Sequence, residues 1–394
     1  MAATRRGFRQ LLLDIHLYLS LALGLVIVAV AVTGAPLVWR DQVDRFLNPD
    51  RYAISGAEIR LTPSGYVANA LAAAGPDFRA VDLRYPAAPG WPLRATVRAA
   101  PKDGGAARSL VVTLDPPTGK VLGVAGVSAT FVGALHNFHH MLMIPQFSGR
   151  QIVGWIGVAL LFLSLSGIYL WWPRNAPFAR GLRWRRSPFT TTNLHHLVGF
   201  WISVPLAIVS LSGVYLAFPN TAYSLMSGVA AMSQPMRRGG FSALPARDTN
   251  IDADRALAQA LALTPGAAPR IVSFPVAPRG GHEHGQKASG AEWRIQARAS
   301  GASEATTILV DDQTAVARPG PAPQSGDRAA SLIKGLHEAR RGGAIWEVLV
   351  FLTGVTPLLF LVTGVMMWLR GRKAAKALEA ARGAPRESDA TARA

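Results

Sequence analysis

Nine histidines are spread along a chain that contains no cysteine, and their placement is its first chemical signal. His16, His195 and His196 fall at the starts of two long apolar runs. His136, His139, His140 and His337 fall just ahead of two others, while His282 and His284 lie apart in a Gly-rich stretch between Pro278 and Gly290. Ionisable residues at membrane depth are costly and mark functional sites by default. Here four separate helix starts each carry a histidine, two per membrane face. Such an arrangement suits imidazoles paired between neighbouring helices. The lack of cysteine excludes disulfides, Cys-based zinc sites, iron–sulfur clusters and covalent CxxCH haem attachment. Haem b suits what remains, because its apolar ring belongs between helices and two axial histidines saturate its iron. Saturated iron offers no position to oxygen, so the expected task is electron transfer, with one haem near each face. Zinc would want three or four ligands, which two histidines per face supply only if Asp14 or Glu338 joins them.

The elements that must carry these residues are membrane spans. Half of the 394 residues are hydrophobic and 16% are charged, against roughly 25% charged in soluble domains. Four apolar stretches reach the roughly 20 residues that cross a bilayer: 11–39, 152–172, 197–218 and 344–369. Three end in Trp-containing sequence suited to the headgroup zone (Trp39, Trp171-Trp172 and Trp368). Basic residues concentrate in three short segments: Arg5, Arg6 and Arg9; Arg174, Arg180, Arg183, Arg185 and Arg186; and a tail from Arg370 with seven basic and three acidic residues. Short basic segments stay inside, so both termini are expected to be cytoplasmic. The long connections are near charge balance. Much of the net +18 is therefore topology and contact with membrane lipid, and no nucleic-acid partner is expected.

The resulting organisation has nine parts. Residues 1–39 hold the first segment and span, 40–129 an outer domain, 130–149 a His-bearing outer helix, and 150–173 the second span. A basic inner loop (174–194) leads to the third span (195–218), a second outer domain (219–330), a His-bearing segment with the fourth span (331–370), and an inner tail (371–394). The chain also repeats itself. Each span closes on a small hydroxyl residue and glycine: Thr33-Gly34, Ser166-Gly167, Ser212-Gly213 and Thr363-Gly364. His16 and His195 each precede their glycine by 18 residues, about five helical turns, which predicts an internal duplication of a helix–domain–helix unit. The glycines are read as points of close helix approach rather than cofactor contacts.

Within the outer domains, alternation and turn residues predict a helix at 62–74 with strands at 78–84, 93–98 and 109–114. The second domain gives a helix at 252–263 and strands at 270–276, 292–297 and 306–310. Neither domain carries a nucleophile–base pair or a phosphate loop. Ahead of the second span, His136 and His140 share a helix face at i, i+4, and either could ligate. His136 has the repeat-equivalent Leu-His context, and His140 has the same 27-residue spacing to its glycine as His337. At the inner face His195 or His196 could serve. Met141 and Met143 are further possible ligands, with apolar packing the stronger expectation, and His282-Glu283-His284 resembles a surface metal clip.

Taken together, these residues resemble the PepSY-associated transmembrane family, also described as iron-regulated membrane proteins. The match rests on Ile15-His16-Leu17 leading to Thr33-Gly34, and Leu135-His136 leading to the segment from Ser166-Gly167 to Trp171-Trp172-Pro173-Arg174. It rests also on Leu194-His195 with Gly199 leading to Ser212-Gly213, and Leu336-His337 leading to Thr363-Gly364. The outer domains resemble PepSY modules, with Asp115-Pro116-Pro117-Thr118-Gly119-Lys120-Val121 as the closing turn and strand; Asp311-Asp312-Gln313-Thr314-Ala315 lacks the turn glycine. The resemblance implies a mainly α bacterial inner-membrane protein, a four-helix bundle from an internal duplication with two periplasmic α+β PepSY-like domains. It implies His16 with His195, and His136 with His337, as ligands of two haem b groups. The expected function is reduction of a ferric siderophore in the periplasm, with an unidentified electron donor and a siderophore-uptake transporter as partners. The alternatives are a haem-free scaffold binding a periplasmic peptide or protein, and a metal or siderophore transporter.

Overall fold

The computed structural model describes residues 7–101, 107–173, 177–184, 187–233, 244–246, 248–276, 291–302 and 304–383. The chain opens with helices α1 (Phe8–Gly34) and α2 (Arg40–Leu47). Helix α3 (Pro63–Ala74) precedes strands β1 (Phe78–Arg84), β2 (Leu93–Ala99), β3 (Arg108–Leu114) and β4 (Val121–Gly126). Then come α4 (Phe131–Met141), α5 (Gly149–Trp171), α6 (Phe178–Gly181), α7 (Thr190–Ala217) and α8 (Pro219–Ser227). The second half repeats the order with α9 (Ala253–Leu263), β5 (Ala268–Ser273), β6 (Glu292–Arg298), β7 (Thr306–Asp311), β8 (Ala317–Pro319), α10 (Ser325–His337) and α11 (Gly343–Gly383). These elements form two compact units. One holds 1–38, 135–228 and 328–394, and the other holds 39–134 and 229–327.

The first unit is a membrane bundle. Its four long helices, α1, α5, α7 and α11, are long and apolar enough to cross a membrane, and α1 and α7 each pack against both α5 and α11. The bundle's sidedness is the reverse of a soluble core. Large apolar side chains such as Leu25, Trp155, Trp201, Leu211 and Ile345 are exposed on its flank. The buried set is rich in small hydroxyls, including Ser164, Ser166, Ser203, Ser210, Ser212, Thr353 and Thr363. Lipid is as apolar as leucine, so helices associate through small residues and hydrogen bonds instead. Thus α11 meets α1 backbone to backbone: a Cβ on Gly354 would lie 2.9 Å from the Ala31 carbonyl oxygen. The helices overrun the apolar stretches. α7 begins at Thr190, where Asn193 bonds the backbone N–H and C=O of Ser187 at 2.9 and 2.8 Å.

The second unit is one antiparallel sheet of eight strands in the order β4-β3-β2-β1-β5-β6-β7-β8. The sequence predicts two outer domains; instead Leu83 of β1 pairs with Ala95 of β2 on one side and Val272 of β5 on the other. The two outer segments thus form a single unit. β4 and β8, absent from the sequence reading, complete the two sides. Residues alternate cleanly along β2, buried then half-exposed, because α3 and α9 pack against the sheet. Thr62 caps α3 by accepting from the Gly65 N–H, and Asp252 caps α9 by accepting from the Arg255 N–H. The core joins Tyr66, Leu83, Leu93 and Val112 with Leu257, Val272, Trp293 and Ile308. Each large apolar side chain buried there contributes about 1.5–3 kcal/mol. A Leu83→Ala change at the centre would cost about 2–5 kcal/mol.

Candidate functional site

Four imidazoles are held in the bundle by one recurring device. Near the start of α1, Nδ1 of His16 lies 2.8 Å from Oγ of Ser166 on α5, and the Ser166 hydroxyl in turn donates to the Leu163 carbonyl. Near the start of α7, Nδ1 of His195 lies 2.8 Å from Oγ1 of Thr363 on α11, whose hydroxyl donates to the Leu359 carbonyl at 2.7 Å. With the hydroxyl proton engaged by a carbonyl, the oxygen is left to accept from the ring N–H.

At the opposite ends of these helices the acceptor is backbone. His139 on α4 donates from Nδ1 to the Val30 carbonyl at 2.8 Å, and His337 on α10 donates to the Val209 carbonyl at 3.0 Å, with Ser212 Oγ at 3.2 Å. A carbonyl oxygen can only accept, so these two rings carry their proton on Nδ1 and present a lone pair at Nε2. That is the form that binds a metal. Burial and the neighbouring His337 push the His139 imidazole down to about 4, and burial lowers that of His337, which favours the neutral form of both rings.

Each ring also faces the glycine that follows a hydroxyl residue. A Cβ on Gly34 would lie 2.6 Å from Cε1 of His139, and one on Gly213 would lie 3.0 Å from Cε1 of His337. The corresponding distances are 3.6 Å from Gly167 to His16 and 3.9 Å from Gly364 to His195. The expectation that these glycines serve helix approach is therefore corrected. Gly34 and Gly213 make room for imidazoles, Gly167 and Gly364 meet theirs at ordinary contact distance, and close helix approach falls to others such as Gly354. The rings of His139 and His337 lie 6.1 Å apart between centroids, 35° between planes. Phe360 packs 5.2 Å from the His195 ring. Such a donor set could hold a metal centre that draws its other ligands from elsewhere. Among the described residues no three or more His, Asp or Glu side chains converge as a protein-only metal site.

All four ring–glycine pairs fall within residues 13–371, the stretch matched by the model of the PepSY-associated TM region family. The chain belongs to that family. No curated protein matches it.

In this PepSY-associated chain the cradled residue of α4 is His139, where the sequence favours His136 with His140 as its alternative. Those two rings stack on one another instead, with centroids 5.6 Å apart. At the other end Thr363 holds His195, and the His196 ring stands 6.3 Å from it at 62°. Asp14 accepts from Gln10, and Glu338 pairs with Lys334 and Arg340. Met143 is exposed. His282-Glu283-His284 lies outside the described residues.

Proposed function

We propose that this protein is a di-haem b electron-transfer protein of the bacterial inner membrane that reduces ferric siderophores in the periplasm and so releases their iron. The observation that carries this reading is the set of four cradled imidazoles, two at each end of one bundle. The donor set fits haem b. The porphyrin brings four equatorial nitrogens, so two imidazoles complete each site without further protein ligands. The His139 and His337 ring centroids lie 6.1 Å apart, a separation that one metal could bridge with metal–imidazole bonds of about 2 Å. The Nδ1 acceptors fix ring orientation and tautomer, as coordinating histidines require.

When bound, haem b supplies a one-electron couple at each end of the bundle. This chain's residues do the rest. His16 with His195, and His139 with His337, would hold the two haem groups. The carbonyls of Val30 and Val209 and the hydroxyls of Ser166 and Thr363 raise the basicity of the rings, which favours the ferric state and lowers the potential. At the chelate itself one electron converts Fe(III) to Fe(II), and that step needs no general acid or base. Fe(II) sits low in the divalent affinity order and suits hard-oxygen chelators poorly, so the iron leaves.

The positive-inside bias of the basic segments supports cytoplasmic termini, with His16 and His195 at that side. A quinol, a protein or a diffusing reductant donates there, and a siderophore-uptake transporter is the expected partner outside. The two halves are read as copies of one duplicated unit, each contributing one histidine per face. The test is haem stoichiometry on the purified full chain. Two haem b with bis-histidine low-spin spectra, reoxidised anaerobically by a ferric siderophore, are expected. A colourless protein from haem-replete cells sinks the reading and leaves a haem-free scaffold binding a periplasmic peptide.

A further inference from the structure

Two histidines of α4 stand outside the cradles. His136 and His140 are four residues apart, hence on one helix face, and their rings stack with centroids 5.6 Å apart and 19° between planes. His139, between them in sequence, is turned to Gly34 and the Val30 carbonyl. One short helix therefore carries a cradled imidazole and, on the adjoining face, an imidazole pair. His136 is exposed and His140 half-buried.

Near-parallel imidazoles one turn apart can fill two adjacent positions of a single transition-metal ion, and imidazole suits iron, nickel, copper and zinc alike. Two positions leave the rest for ligands that the metal brings with it. Local charge selects those ligands. Arg150, the second residue of α5, brings a guanidinium to this end of the bundle. A bare cation meets repulsion there, whereas an ion wrapped in anionic oxygen donors gains a charge-assisted contact.

We propose that His136 and His140 form a docking site for an anionic transition-metal chelate with two adjacent coordination positions open. The link to iron rests on the electron-transfer reading: a partly unwrapped ferric siderophore is such a chelate, and it would dock one residue from His139. Imidazole is also a better ligand for the Fe(II) produced than the hard oxygens it leaves.

Nickel(II) nitrilotriacetate is the probe, being anionic and open at two adjacent positions. The full chain, purified in detergent through a histidine-free tag, is titrated by calorimetry, and haem is measured on the same sample. One probe per chain is expected. His136→Ala and His140→Ala should each weaken binding at least about tenfold with haem content unchanged. The bulkier His136→Gln/His140→Gln pair should lose binding equally, and His282→Ala/His284→Ala should bind like the parent. Binding that persists in the His136→Ala/His140→Ala double variant overturns the site, as does haem loss from either single variant. Probe binding by a protein without haem sinks the electron-transfer reading and leaves this site standing; a haem-loaded protein that ignores the probe does the reverse.

Discussion

Gly34 of α1 stands directly against the imidazole of His139, so close that a Cβ at this position would sit 2.6 Å from ring Cε1 and 2.7 Å from Nδ1. The ring cannot retreat without breaking its hydrogen bond to the Val30 carbonyl. On the di-haem reading proposed above, Gly34→Ala is therefore expected to cost one of the two haems. Gly213→Ala, at 3.0 Å from His337, should have a milder effect, and Gly167→Ala and Gly364→Ala, at 3.6 and 3.9 Å, should keep both haems. Alanine favours a helix over glycine by about 1 kcal/mol, so a loss confined to Gly34 and Gly213 reports on the rings and not on the helices. Haem per chain, measured as the pyridine haemochrome, is the check.

The three histidines of α4 separate in the same assay. His139→Ala should remove one haem and its low-spin electron paramagnetic resonance signal, whereas His136→Ala should keep both. The opposite pattern would restore the assignment that the Leu-His context suggests.

Sequence alone showed the spans well, because lipid demands long apolar runs and the bilayer sorts arginine and tryptophan to their ends. It stopped α11 at Leu369 because hydropathy tracks apolarity; the helix continues to Gly383 through Lys373-Ala374-Ala375-Lys376, which are good helix formers without being apolar. Which histidine of α4 turns inward was not legible. That depends on how the link to α5 bends, and the bend uses left-handed backbone at Leu142, Met143 and Ser148, residue types that do not announce it. The equivalent link before α11 uses Ala339 with Gly342 and Gly343. Nor does periodicity reveal that β1 and β5 pair, since two edge strands look alike whether or not they meet. The missing turn glycine after β7 was a real departure in type but not in shape: Ala315 takes φ 59° where Gly119 takes 67°, and its N–H still bonds the Asp311 carbonyl.

The hydroxyl acceptors make a separate prediction. Thr363→Val keeps the shape of the side chain but leaves the Nδ1–H of His195 without its acceptor at 2.8 Å. A less basic imidazole stabilises ferric iron less, so the midpoint potential of the haem at that end should rise while the other stays put. Thr363→Ser should restore the parent value. Loss of such an outer partner typically weakens metal binding about 10- to 100-fold, so partial haem loss should accompany the shift. Potentiometric titration followed optically reads both.

Acid should weaken the sheet unit through Asp115. Burial opposes its charge, but bonds from the Ser55 hydroxyl and N–H at 2.6 and 2.7 Å and from the Thr118 hydroxyl at 2.5 Å outweigh it, holding the carboxyl below its ordinary 3.8. A carboxylate whose folded pKa is depressed contributes stability that is fully present above the unfolded value and is lost as pH falls through the folded one. At pH 7, Asp115→Asn should destabilise the sheet unit by about 2 kcal/mol, the scale of a hydrogen bond to a charged group. At an acid pH below the depressed folded value the parent is protonated too, and the two proteins should melt together. Melting curves of parent and variant at both pH values decide it; a gap that stays constant would mean that the Asp115 charge does not set the turn.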